Sequence, residues 1–97
     1  MKLRFSPAAT REVAAAFSWY ERAQVGLGYR FKATLREVFW LIEAYPEASP
    51  TVFLHYRQTR VHGFPFVVVY EAKEDVIKIL AVFHTSRDPK LWRDRAR

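Results

Sequence analysis

Up to Pro46 the apolar residues recur every three or four positions, and from Thr51 onward they alternate or run together. A helix presents a stripe at the first spacing and a strand has period two, so the change divides the chain into a helical part and a sheet part. Before the first stripe, Leu3 and Phe5 alternate with Lys2 and Arg4 in KLRFS, which predicts a short opening strand. Ser6-Pro7 then supplies a helix N-cap followed by proline at the first helical position. Ala9, Val13, Ala16, Phe17 and Tyr20 form one face of a helix expected to run to about Ala23. VGLG at 25–28 predicts a break, and Phe31, Leu35, Val38, Phe39 and Ile42 make a second stripe that Pro46 ends. Two such helices joined by a short turn make an antiparallel hairpin.

The second half reads as sheet. TVFLHYRQTRVH alternates weakly and predicts one strand, ending at the turn signal His62-Gly63-Phe64-Pro65. FPFVVVYEA is an almost unbroken apolar run, the pattern of a central strand covered on both faces. KED at 73–75 turns the chain into VIKILAVFH, a second buried strand. The expected order is therefore β-α-α-β-β-β with a short C-terminal helical tail from Asp88. This is an α+β fold whose antiparallel sheet carries the helical hairpin on one face and leaves the other free for a macromolecular target.

At 97 residues the chain suffices for one domain, expected over 1–97, but not for two cores. It has no cysteine, which removes disulfides, thiolate zinc sites and a cysteine nucleophile, and fits a cytoplasmic location. The opening residues lack the apolar core of a signal peptide, and no stretch approaches the length of a membrane span. Net charge is +6, most of it in the second half, and arginine outnumbers lysine 11 to 5. Such a balance favours an acidic partner, either nucleic acid or an acidic protein segment. On the second helix Tyr29, Ala33, Trp40 and Ala44 share the face turned away from the core stripe, a composition suited to an interface anchor. Trp19 flanks the first helix's stripe and is expected at the edge of the core.

The order of elements, AYPEASP closing the second helix, the arginine pair of YRQTR, the strand FPFVVVYE and the close ILAVFHTSRDPKLWRDR together resemble the RelE/ParE superfamily, the toxins of bacterial type II toxin-antitoxin modules. The resemblance covers essentially the whole chain and implies two alternative activities. RelE-like members cut mRNA on the ribosome and need no metal, whereas ParE-like members poison DNA gyrase. It also implies a cognate antitoxin as partner, in a toxin-antitoxin hetero-oligomer, and no cofactor.

On the nuclease reading His84 is the acid or base, Arg60 holds the scissile phosphate and Arg87 clamps a neighbouring one. Period two along the last strand places Lys78 on the side of His84. Arg57, Lys78 and Arg93 are the expected target contacts, and Tyr29, Trp40 and Trp92 the expected antitoxin interface. Trp92 has an alternative role, folding back onto the sheet with Leu91. Two departures favour gyrase. Thr85 and Ser86 follow the last strand where several nucleases of the superfamily carry a tyrosine, and residues 51–58 hold no lysine cluster. A non-toxic binding module with the same fold is the third alternative. His55 and His62, seven residues apart on a strand, fall on opposite faces and do not suit a shared metal.

Overall fold

The computed structural model describes residues 1–97. β1 (Lys2–Phe5) leads through Ser6 into α1 (Pro7–Ala23), which begins and ends as the sequence predicts. Ser6 Oγ accepts the Ala9 N–H at 3.0 Å, while Pro7 stands where a missing N–H costs nothing. The same hydroxyl donates to the Leu80 carbonyl at 2.8 Å, so the cap also pins the helix to the sheet.

The chain turns through Gly26, at φ +91°, into α2 (Leu27–Ala44). α2 has no side-chain cap of its own. Glu21 supplies one from α1, accepting the N–H groups of Gly26 and Gly28 at 3.0 and 2.9 Å, where a helix start favours negative charge. The break is shorter than VGLG suggests, because Gly28 lies inside α2. A Cβ there would come within 2.6 Å of the Phe17 carbonyl oxygen, so glycine is what lets the two helices approach.

β2 (Thr51–Phe53), β3 (Tyr56–Val61), β4 (Phe66–Lys73) and β5 (Val76–His84) complete a five-stranded sheet of order β1-β5-β4-β3-β2. The segment expected as one strand folds at Leu54, whose φ of 53° is left-handed, and becomes β2 and β3. β2 to β5 form an antiparallel meander, whereas β1 runs parallel to β5, with Lys2 opposite Val76 and Phe5 opposite Ile79. The sheet is therefore mixed rather than antiparallel throughout. The hairpin carries the chain from β1 across the sheet to its far edge, and the meander returns it beside β1 in the same direction.

On one face Phe31, Leu35, Val38 and Ile42 of α2, with Ala9 and Ala16 of α1, pack on Val61, Val68, Tyr70, Ile77, Ile79 and Val82. The opposite face is not free, contrary to expectation. α3 (Lys90–Arg93), followed by a 3-10 turn at Asp94–Ala96, folds back and seats Trp92, 2 % exposed, among Tyr56, Val67, Val69, Leu80, Ala81 and Phe83. Val67 to Tyr70 are apolar on both sides of β4, and uncovered valines there would leave apolar surface in water, so the tail goes where that surface is. Its cover is central only, and Arg60 and Lys78 stay exposed around it.

The β4–β5 register shifts between Val69, opposite Ala81, and Tyr70, opposite Ile79, so Leu80 is an extra residue on β5. Backbone groups at this bulge are taken up by side chains. Glu12 accepts the Val82 N–H at 3.0 Å and holds Arg95 through two bonds of 3.1 and 2.7 Å, tying the tail to α1. No helix is long and apolar enough to cross a membrane.

Candidate functional site

β5 ends at His84, beside the C-terminal half of α1. The imidazole stands edge-on to Phe66 with ring centroids 5.1 Å apart. Ser86 loops back so that its backbone N–H donates to His84 Nδ1 at 3.0 Å, with its hydroxyl 2.8 Å from the same nitrogen. A nitrogen that accepts an amide N–H carries no proton, so the neutral ring bears its hydrogen on Nε2. Together with Trp19, Tyr20, Phe66, Ser86 and Arg87, His84 lines an open and mostly apolar cleft of about 410 Å³. Burial pushes the Tyr20 hydroxyl above its ordinary value of 10.0. Arg87 lies 5.0 Å from the Phe83 ring centroid, in cation-π range.

Of the three residues expected to form a nuclease site, only His84 and Arg87 come together. Arg60 is opposite Val67, on the face that carries Trp92, whereas His84 is opposite Phe66, on the hairpin face. Lys78 is also separated from His84. The extra residue at Leu80 shifts the alternation of β5, so Lys78, opposite Glu71, projects on the tail face and His84 on the other.

The remaining cations have local partners to different degrees. Arg57 Nη1 donates to the carbonyls of Glu47 and Ser49 at 3.1 and 2.7 Å, bracing the loop after α2 instead of projecting outward. Arg93 lies 5.4 Å from the Phe53 ring and 5.7 Å from the Trp92 ring, with its Nε buried and unbonded. His55 pairs with Glu71 and stacks on Tyr56 in the β2–β3 turn, while His62 is exposed at the other end of β3.

Tyr29 and Trp40 are 64 % and 66 % exposed on the outer face of α2. Trp92, expected beside them, is shut into the second core and offers no surface to a docking protein. The sequence reading missed the aromatic walls of the His84 cleft. Trp19, expected at the core edge, is 63 % exposed, and its ring is perpendicular to Tyr20 at 5.5 Å. A tryptophan just off an apolar stripe, three residues beyond Ala16, was the signal available.

Residues 3–89 match the family model described as ParE toxin of type II toxin-antitoxin system, parDE. Among solved structures, a chain from the chromosomal ParDE TA system from P. aeruginosa superposes with a TM-score of 0.63 at 18% identity. That alignment covers 87% of this chain and 95% of the other, and at such identity it speaks for the fold alone. Comparison with curated proteins finds no match.

Proposed function

The chain belongs to the ParE toxin family of type II toxin-antitoxin systems, and from that premise we propose that it inhibits bacterial growth by binding DNA gyrase, as one toxin domain over residues 1–97, until a cognate antitoxin neutralises it. The observation that carries binding over cutting is the dispersal of the nuclease residues. RNA cleavage by 2'-hydroxyl attack needs a base, an acid and a cation around one phosphate. Arg60 and His84 stand on opposite faces of the sheet, and the His84 nitrogen free of a proton is already engaged by Ser86. On this reading neither His84 nor Arg60 is essential to target binding, and Lys78 remains an exposed cation on the tail face.

The outer face of α2 suits the antitoxin. Tyr29 and Trp40 are eleven residues apart, close to three full turns, so they lie on one line along the helix. An amphipathic antitoxin helix laid along that line would cover both rings; Arg30, Lys32 and Arg36 favour acidic side chains towards the Tyr29 end, and Glu37 and Glu43 favour basic ones beside Trp40.

A supercoiling assay with purified gyrase tests the target. Inhibition with accumulation of cleaved DNA is expected, and the double substitution H84A/R60A should leave growth inhibition intact. Truncated ribosome-bound messages, with growth inhibition abolished by the same double substitution, would replace this reading with the RelE-like nuclease.

A further inference from the structure

The His84 cleft holds three groups for which gyrase binding supplies no particular ligand: an exposed indole, an imidazole N–H without a partner, and a guanidinium with no carboxylate partner. We propose that this cleft binds an unpaired nucleotide of a single-stranded nucleic acid, the base stacked on Trp19 and its phosphate held by Arg87. The inference concerns a ligand of the toxin and stands whichever macromolecule the toxin inhibits.

Each part of such a ligand meets a matching group. Every base has a π-face, and an exposed aromatic ring beside a cation is the pairing that single-strand binders use. Trp19 is braced at a right angle by Tyr20 yet remains 63 % exposed, so its ring is held without being covered. Phe66 and Tyr20 form the apolar floor, and a volume of about 410 Å³ lies in the range of small-ligand sites. Because Ser86 fixes the proton of the neutral ring on Nε2, His84 presents a hydrogen-bond donor suited to a base carbonyl or a phosphate oxygen. Arg87 lines the cleft and supplies the positive charge; its guanidinium, which has no carboxylate partner and lies 5.0 Å from the Phe83 ring, would swing off that ring to take the bidentate grip that phosphate favours.

Two other surfaces fail the same comparison. Trp40 has Glu37 and Glu43 three residues before and after it on α2, where a phosphate would be repelled. The cleft of Phe53, Arg93 and Arg97 also contains Asp88 and Asp94, and its Lys90 is committed to Asp94 at 2.8 Å.

Fluorescence anisotropy with short labelled strands of DNA and of RNA tests the proposal. Single strands should bind, and W19A and R87A should each weaken binding about tenfold, in line with the loss of one stacked base or one phosphate contact. W19F should restore most of the affinity. Y45A, which removes another exposed ring just past the end of α2, should change nothing. Binding of DNA alone, of RNA alone or of both supports the site and identifies the sugar. Equal affinity for an abasic strand or for duplex, parental affinity in W19A, or no binding of any strand at low salt overturns it.

Discussion

Glu12 joins three parts of the chain through one carboxylate: α1, which carries it, the bulge of β5 through the Val82 N–H, and the tail through Arg95. Removing it orphans a backbone donor and a guanidinium together. Glu12→Ala should therefore cost about 1–3 kcal/mol, nearer the lower end because the ion pair is partly open to water. Glu12→Gln, which keeps an acceptor for the amide, should cost less. Urea midpoints at unchanged m measure both, and an unchanged midpoint for Glu12→Ala would show that water replaces the carboxylate without loss. The same bulge explains the main residue-scale failure of the sequence. Period two joined Lys78 to His84, and one additional residue, Leu80, separated them. Nothing in VIKILAVFH marks that residue, because both neighbours of the bulge are apolar and each face receives a side chain it can bury.

The elements that carry local signals were legible. Ser6-Pro7 announced α1, Pro46 closed α2 and the apolar stripes identified the hairpin, since each rests on contacts within a few residues. Leu54 turns with a positive φ but no glycine or proline, so the division between β2 and β3 left no mark. The tail was half legible. Trp92 had two expected positions, and the all-apolar character of β4 decides between them, because Val67 and Val69 need a cover that the hairpin cannot reach. Trp92→Ala should cost about 3–5 kcal/mol, the range for deleting a fully buried large aromatic. Hydrogen exchange should show amides 90–96 losing protection before those of β4 and β5. Retained protection of the tail at unchanged stability would mean that Arg95 alone secures it.

For the molecule as a whole, the net charge of +6 acts at long range. Its cations are spread over the α2 surface and the margin of the tail face, a distribution that attracts an acidic partner from a distance. The association rate with the cognate antitoxin should fall as NaCl rises from about 0.01 M to about 1 M, a span over which the screening length shrinks from about 30 to about 3 Å. The dissociation rate should change less, because buried aromatic contacts are less sensitive to salt. A rate indifferent to salt would remove electrostatic steering from the account. The fold was legible at this scale because element order and spacing survive where residue identity does not, as 18% identity to a chain of the same fold illustrates. The position of β1 was not legible, since its partner is the strand farthest from it in sequence.

That parallel pairing of residues 2–5 with 76–79 also sets a timetable. During synthesis the first strand emerges with nothing to join, and at about 5–20 residues per second it waits several seconds for its neighbour. The sheet closes only once β5 is out of the ribosome. Every surface that depends on the closed sheet therefore comes into being only after residue 84 has emerged.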